Sequence, residues 1–533
     1  MISFFRKFGR FVRTRLFWTG LLLIGQYVLI AVFTLAASIG VVYGFDVLLP
    51  HGWILGIIVI LVIYFISSLI SVLRMNHSWM DATFKYSWAI MIIMLPIAGA
   101  IIYSISTRVH PVRYWKEHTA SPRNVENEVN CERHDDARKR LKLDSREAFN
   151  QSTYLENHGF GALHNDSKTT YFEDGMQNFK VMLEKIKAAK RYVFMEYFIV
   201  AKGWMLDTLV GVLLQKIEEG VDVRIIYDDT GSINTVPINF DKHLNELGIK
   251  AVKFNIVTLI LSNDNINTRN HRKMCVIDGN IAFTGGINIA DEYINKLDRF
   301  GHWKDTGIMV EGLAAFDFAV LFISMWNHVN RKKKINDDYR DYYPNDITNY
   351  QGNGYVNPFC DFPGDADFVG VNAYLHLIGV ATKSIHIMSP YLVLDDRIRG
   401  ALLSAAQQGI EVSIIMPGTP DKKSVYLAAQ SVWPVLINAG IEIYLYTPGF
   451  IHAKSVVVDG HIGIIGTINL DYRSLYLHLE CGLWMYKTSA LTDIENDFAN
   501  TSTKCKKLTP EDVKYSFWKK VVLSFIKLTN TLF

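Results

Sequence analysis

The chain has 533 residues, more than one compact domain holds, and predicts two or three folding units. Half of the residues are hydrophobic, a high share for a soluble protein in which 20% are charged, and the net charge of +3 gives no indication of nucleic-acid binding. Five scattered cysteines without ligand spacing predict neither a disulfide framework nor a zinc site.

Three apolar runs without a charged residue lie near the N-terminus, at residues 17–45, 53–73 and 88–105. A membrane span takes roughly 20 residues, so the first two runs are long enough and the third, which contains Pro96, is borderline. The first run is too long for a cleaved signal peptide. We therefore predict a helical, multi-pass membrane-anchoring region over residues 1–107.

Basic residues set the predicted orientation of this region. Five Lys and Arg residues precede the first run, whereas residues 46–52 contain none, so the positive-inside rule places the N-terminus in the cytoplasm. The side of the membrane that carries the rest of the chain depends on whether the third run spans it. Basic residues after that run favour the cytoplasmic side, which conflicts with a full third span, and the choice stays open.

The remainder of the chain divides by composition and by an internal repeat. The predicted segments are a polar linker or peripheral helix at 108–150, two halves at 151–335 and 336–505, and an amphipathic helix at 506–533. In each half a helix leads into an apolar strand, and a second helix ends at a glycine before a second strand, at Gly220 and at Gly409. This alternation predicts two α/β halves, with mixed sheets flanked by helices, related by a pseudo-twofold axis.

The repeat extends into a polar motif, His-x-Lys-x4-Asp, present once in each half. Its residues are His271, Lys273 and Asp278 in the first half and His452, Lys454 and Asp459 in the second. An asparagine, Asn288 or Asn469, follows each histidine after 17 residues. A single His-x-Lys would carry no information, but two copies in register are a strong indication of one shared site.

The spacing has a chemical interpretation. Residues two apart on a strand point to the same face, so each half presents an imidazole beside an ammonium. If the two halves meet, two histidines and two lysines converge, with Asn288 and Asn469 as neutral donors, and such a cluster suits a phosphodiester. One histidine can attack phosphorus while the other protonates the leaving alkoxide and then activates the incoming hydroxyl, so no metal or other cofactor is needed. We expect Asp278 and Asp459 to fix the turns that follow them.

On these residues the chain resembles the phospholipase D superfamily, in which the HxKxxxxD motif occurs twice, and within it the bacterial cardiolipin synthases. The resemblance includes the N-terminal hydrophobic segments and the residues after each motif. It implies two phospholipase D-like halves in a bacterial cell membrane, with Asp305 and Glu480 orienting the histidines. It further implies that a phosphatidyl group passes from one phosphatidylglycerol to another, releasing glycerol, with His271 as nucleophile and His452 as acid and base.

Several points depart from the resemblance or stay open. Thr467 replaces a common serine, and His478 replaces an expected asparagine, which affects the prediction of the acceptor. A lipid hydrolase with the same phosphoenzyme is the main alternative; a nuclease would need a broader basic surface. The expected partners are phosphatidylglycerol and anionic membrane lipid, not nucleic acid. Glu196 is either near the site or a structural ion-pair partner, and the C-terminal helix lies either on the membrane or against the catalytic halves.

Overall fold

The computed structural model describes residues 39, 43–44, 52–76, 82–94, 103, 131–256, 268–347, 350, 354–363 and 367–528. The chain divides into two compact units, one of Met1–His110 with Val257–Asn267 and one of Pro111–Ile256 with Thr268–Phe533.

The first unit contains α1 (Gly52–Asn76) and α2 (Ala82–Met94), joined by a hydrogen bond of 3.5 Å from the Ser68 hydroxyl to the Ile92 carbonyl. No helix within the described residues combines the length and apolarity needed to cross a bilayer. Of the predicted apolar runs, the first lies outside the described residues except at 39 and 43–44, and the third except at 88–94 and 103. Membrane anchoring therefore stays a prediction.

Two helices precede the first sheet in the described part of the second unit. The first lies within the stretch 108–150 that was expected to be a linker or peripheral helix, and the second crosses the expected end of that stretch. These are α3 (Cys131–Asp144) and α4 (Arg146–His158). On α4, Gln151 donates a hydrogen bond to the His376 carbonyl at 3.0 Å and accepts one from the Trp484 indole at 3.0 Å. The helix is thereby fixed to the second half of the repeat.

The first half forms a seven-stranded mixed sheet within the described residues. Its elements, with two short strands that lie outside this sheet (β5 and β8), are β1 (Lys168–Phe172), α5 (Gly175–Lys187), β2 (Tyr192–Tyr197), α6 (Trp204–Glu218), β3 (Asp222–Asp228), α7 (Phe240–Glu246), β4 (Lys250–Phe254), β5 (Arg269–Asn270), β6 (Lys273–Ile277), β7 (Ile281–Gly285), β8 (His302–Lys304), β9 (Gly307–Glu311) and α8 (Ala314–Asn330). The strand order is β1-β9-β7-β6-β2-β3-β4, in which β2, β3 and β4 are parallel and the other pairs antiparallel.

The second half repeats this arrangement. Its elements are β10 (Tyr355–Asp361), α9 (Val369–Val380), β11 (Ser384–Met388), α10 (Asp396–Gln407), β12 (Glu411–Pro417), α11 (Lys423–Asn438), β13 (Glu442–Tyr446), β14 (Gly449–Ile451), β15 (Ser455–Val458), β16 (Ile462–Gly466), α12 (Tyr472–Tyr476), β17 (His478–Tyr486), α13 (Ser489–Ser502), β18 (Cys505–Lys507) and α14 (Phe517–Leu528). The order β10-β17-β16-β15-β11-β12-β13 matches that of the first sheet, with β18 added at the edge. The prediction of two α/β halves with mixed sheets is confirmed.

The two sheets share a core around α8. Most residues of this helix are apolar, which is the pattern of a buried helix, and 13 of its 17 residues are buried. One face of β2 contributes Phe194 to the cluster around α8, whereas Val193 and Met195 point to the opposite face, against α5 and α6. The same cluster around α8 includes Cys481 from β17, so it joins the halves.

Two short strands also join the halves through their backbones. β5 of the first half pairs in parallel with the beginning of β17, and β14 of the second half pairs in parallel with β8. Both connections lie directly beside the His-x-Lys motifs, so they fix each motif against the opposite half.

Candidate active site

Each motif histidine forms a hydrogen bond with a carboxylate from the other half. His271 Nδ1 lies 2.8 and 3.0 Å from the two carboxylate oxygens of Glu480. His452 Nδ1 lies 2.7 Å from Asp305 Oδ2. Both carboxylates are fully buried and both histidines nearly so. The four residues therefore form two crossed His–carboxylate pairs.

The crossed pairing follows from the strands that join the halves. The His271 amide donates to the Leu479 carbonyl at 2.9 Å, next to Glu480, because β5 runs beside β17. The His452 amide donates to the Lys304 carbonyl at 2.7 Å, next to Asp305, because β14 runs beside β8. The backbone amide of each histidine is thus hydrogen-bonded to the residue that directly precedes its carboxylate partner.

The hydrogen bonds at Nδ1 determine which ring atom faces the substrate. A carboxylate that is ionised only accepts hydrogen bonds, so the ring proton of its histidine partner lies on Nδ1. The other nitrogen, Nε2, is then left with its lone pair for attack or proton transfer. Thr467 supports one pair by donating its hydroxyl proton to Glu480, so the threonine in place of the common serine keeps this interaction.

The two motif lysines lie buried beside the histidines. Lys273 donates to the His271 carbonyl and Lys454 to the His452 carbonyl, which holds each ammonium against its own motif. Burial lowers the pKa of Lys273 to about 8, although Glu480 and Asp305 act in the opposite direction. Burial lowers the pKa of Lys454 to about 7, and repulsion from Lys273 contributes. The lysines of the two halves are therefore close enough to interact.

The pKa values of the two histidines are lowered in the same way. Burial lowers the pKa of His271 well below its ordinary value, with repulsion from Lys273 as the next cause. Burial also lowers the pKa of His452 to about 4, with Lys454 contributing and Asp305 opposing. A bound anion would offset the repulsion within this buried group of basic side chains. The electrostatics thus favour an anionic ligand.

The predicted asparagines lie beside the site with different contacts. The Asn288 carbonyl oxygen accepts from the Ile199 amide at 2.9 Å, and its amide nitrogen donates to the Tyr293 hydroxyl at 2.7 Å. Both polar atoms of the Asn288 side chain are thus hydrogen-bonded within the protein. Asn469 is buried, and within the described residues its carbonyl oxygen has no hydrogen-bond partner.

Asp278 and Asp459 do not reach the histidines. Asp278 follows the end of β6, whereas Lys273 begins that strand, and its carboxylate accepts backbone hydrogen bonds of 2.7–2.8 Å from residues 190–192. Asp459 accepts the corresponding bonds from residues 382–384. The expectation that they fix their own turns is therefore corrected. Each carboxylate holds the connection that enters the neighbouring strand, β2 or β11, because the unpaired amides of that connection need acceptors.

Two further carboxylates, Asp228 and Glu196, position the segment before His271. Asp228, at the end of β3, accepts from the Asn270 amide at 3.0 Å, and burial raises its pKa to about 6. Glu196 accepts a hydrogen bond from the Asn270 side chain and lies 3.6 Å from buried Arg272. Of the two alternatives left open for Glu196, the structure shows an ion-pair partner, and this ion pair lies beside the site. The position of Asp228 at the carboxyl end of a parallel strand was the signal that could have revealed it.

His478, which departs from the resemblance, also lies in the site. Its ring centre is 5.5 Å from that of His271, and its Nδ1 is 3.9 Å from Glu480. Ligand atoms of His271, His478 and Glu480 lie within 4.8 Å of one another, so these three residues could hold a metal ion. The prediction that the reaction needs no metal stays a prediction.

Comparisons with known proteins find relatives of this chain in sequence and in fold. The family described as "Cardiolipin synthase, PLD-like domain" matches residues 182–299 and 374–502. An uncharacterized protein of Streptococcus mutans is 38% identical over 87% of this chain and 99% of its own length. A cardiolipin synthase of Halalkalibacterium halodurans is 30% identical over 89% of this chain and 93% of its own. In fold, the chain resembles a phosphatidylserine synthase of Haemophilus influenzae, with 16% identity, a TM-score of 0.53, and coverage of 73% of this chain and all of that one.

Proposed function

The chain belongs to the bacterial cardiolipin synthases, phosphatidyltransferases with a phospholipase D-like domain, and from this premise we propose that it joins two phosphatidylglycerol molecules through a phosphohistidine. The observation that carries the proposal is the pair of crossed His–carboxylate contacts in one buried basic site. It supplies two histidines with free Nε2 atoms and two lysines for the phosphate oxygens.

In the first half-reaction, His271 Nε2 attacks the phosphorus of the donor phosphatidylglycerol. A P–N bond forms and the bond from phosphorus to the glycerol oxygen breaks. His452, which is protonated at Nε2 when the bound anionic donor offsets the repulsion from the lysines, gives that proton to the glycerol oxygen, so that glycerol leaves. Lys273 and Lys454 neutralise the charge that grows on the non-bridging oxygens in the transition state. Glu480 stabilises the positive charge that develops on the His271 ring.

In the second half-reaction, His452 accepts the proton of a headgroup hydroxyl of a second phosphatidylglycerol. The hydroxyl oxygen attacks phosphorus, the P–N bond breaks, and His271 is restored as cardiolipin forms. The protein returns to its starting protonation state, and no redox step is involved. Water in place of the lipid hydroxyl would give phosphatidic acid, so the outcome depends on which acceptor reaches His452.

The substrate class places the reaction at a membrane, and two parts of the chain support this. The predicted N-terminal spans over residues 1–107 would anchor the enzyme as a multi-pass protein of the bacterial cell membrane. At the other end, α14 packs on α11 through buried Leu523, yet Phe517, Trp518 and Phe525 are 65–75% exposed. Lysines flank this apolar surface, which fits an interface of anionic lipid.

The test is incubation of the purified protein, in liposomes, with phosphatidylglycerol alone. We expect cardiolipin and free glycerol to appear in equal amounts. His271→Ala and His452→Ala should each lower the rate by at least about a thousandfold. When catalytic residues act as a unit, removal of any one of them costs most of the rate enhancement. Lys423→Gln, an exposed lysine at the start of α11, serves as the matched control. Phosphatidic acid in place of cardiolipin, or full activity in both histidine variants, would refute the proposal.

A further inference from the structure

A pocket opens between the carboxyl end of β12, the beginning of α11 and the end of β14. Its apolar lining includes Met416, Val425 and Phe450, and its polar groups are Tyr391, Asp421 and Lys422. We propose that this pocket binds the headgroup of the acceptor phospholipid, a polyol carried on a phosphodiester. The inference rests on the proposed function, since an acceptor site has a role only in a transfer reaction.

Aromatic contacts connect the pocket to His452, the residue that activates the acceptor. The Phe450 ring, which forms one wall, stacks near the His452 ring with centres 5.9 Å apart. Tyr293 lies with its ring centre 5.4 Å from that of His452, and Asp421 is close enough to act electrostatically on the Tyr293 hydroxyl. The Phe450 ring thus lines the pocket and also lies next to the ring of the acid–base histidine.

The polar groups match the two functional parts of such a headgroup. Asp421 is held by a hydrogen bond of 2.7 Å from the Tyr391 hydroxyl, which fixes one carboxylate oxygen. The remaining capacity of the carboxylate suits the hydroxyl groups of a polyol, which need an acceptor. The Lys422 ammonium lies 5.1 Å from the centre of the Tyr391 ring and is exposed, so it is available to a phosphodiester anion.

The apolar lining explains how the pocket favours a lipid over water. Met416 and Phe450 are almost fully buried and Val425 is buried, which makes the floor and one wall of the pocket hydrophobic. A bound headgroup excludes water from the face of the phosphoenzyme that His452 serves, because its carbon atoms cover this floor. The pocket would therefore direct the phosphatidyl group to a second lipid.

The experiment separates the donor step from the acceptor step. Full-length enzyme in liposomes receives phosphatidylglycerol labelled in its glycerol headgroup. The first turnover of glycerol release, which requires only the donor, is measured by rapid quenching, and the split between cardiolipin and phosphatidic acid is measured at steady state. The variants are Asp421→Asn and Lys422→Gln, with exposed Lys423→Gln as the matched control.

We expect Asp421→Asn and Lys422→Gln to lower the ratio of cardiolipin to phosphatidic acid by about tenfold or more, the loss of one charge-assisted hydrogen bond. First-turnover glycerol release should stay within about twofold of the unsubstituted enzyme. In a second arm, labelled free glycerol serves as acceptor; Asp421→Asn should impair its incorporation and Lys422→Gln should not, because glycerol lacks a phosphate.

Three results would overturn the inference. An unchanged product ratio in both variants would remove the pocket from acceptor binding. If the substitutions slowed glycerol release as much as cardiolipin formation, these residues would act in the donor step or in folding. If Lys422→Gln impaired the incorporation of free glycerol as much as cardiolipin formation, the lysine would not act by binding a phosphate. An unsubstituted enzyme that forms no cardiolipin would instead refute the proposed function.

Discussion

At the residue scale, the site depends on pairs rather than on single side chains. His271 and His452 are chemically alike, and each is fixed by a carboxylate at Nδ1. The pairs still differ, because burial raises the pKa of Glu480 to about 8 against the opposing effect of Lys273. Glu480 also accepts a hydrogen bond from the Thr467 hydroxyl, so one further side chain supports the His271 pair.

Asp459 provides a test of a purely structural role. Burial raises its pKa, but hydrogen bonds from Thr382, Lys383 and Ser384 outweigh burial and bring the pKa below its ordinary value. A carboxylate with a lowered pKa stabilises the fold above its unfolded pKa of about 3.9, and this contribution disappears as the pH falls through the folded pKa. Asp459→Asn should therefore lower the free energy of unfolding by about 1 to 3 kcal/mol at pH 7, and by clearly less near pH 3.

The measurement is denaturant unfolding of the full chain in detergent at both pH values. Asn tolerates the left-handed backbone found at this position, where φ is 52°, so the substitution removes the charge and one of the two acceptor oxygens without straining the backbone. Asp493→Asn, at an exposed position of α13, is the control and should have little effect. A loss of stability in Asp459→Asn that is equal at pH 7 and pH 3 would contradict this role for the carboxylate.

At the scale of elements, the shortest strands matter most for the site. β5 has two residues and β8 has three, yet each pairs with a strand of the other half and sets a histidine against its carboxylate. The motifs and the repeat were visible in the sequence, and so were the candidate carboxylates. Which carboxylate serves which histidine was not, because strand pairs so short have no hydrophobic periodicity of their own. The hydrogen bond from Asn288 to Tyr293 could not be predicted either, because Tyr293 lies in a 3-10 helix of only four residues, Asp291–Ile294.

The C-terminal helix α14 gives the prediction that belongs to this scale. The sequence allowed two interpretations, packing on the catalytic halves or contact with the membrane, and the structure has the helix packed on one face and apolar on the exposed one. Phe525→Cys, labelled with a fluorophore and reconstituted in vesicles that contain anionic lipid, should be quenched by spin-labelled lipid and protected from aqueous iodide, because its side chain would lie among acyl chains.

Leu143→Cys is the matched control, since Leu143 is 89% exposed on α3 and has no flanking apolar surface on its helix. Its probe should respond to iodide and not to the lipid quencher. Unsubstituted protein labelled in parallel corrects for the native cysteines. If the Phe525→Cys probe behaves like the Leu143→Cys probe, α14 does not contact the membrane, and its exposed face needs another partner.

At the scale of the whole molecule, duplication has produced one active site from two copies of a fold. Each half supplies a histidine and a lysine, but neither half holds the carboxylate that orients its own histidine. The buried α8 and the two interhalf strand pairs keep the copies together. The two-half architecture followed from the repeated sequence. The roles of the two histidines depend instead on what surrounds each ring, which a symmetric motif cannot reveal.

The most direct measurement of the double displacement uses phosphatidyl-p-nitrophenol, a donor whose leaving group needs no proton. His452→Ala should release p-nitrophenol in a burst equal to the amount of enzyme and then stall, because the phosphatidyl group on His271 has no base to activate the acceptor. Mass spectrometry after an alkaline quench should find the adduct on the peptide that contains His271. His271→Ala should give neither burst nor adduct. A stoichiometric burst in His271→Ala with the adduct on His452, or no adduct in either variant while the unsubstituted enzyme turns over, would contradict the mechanism.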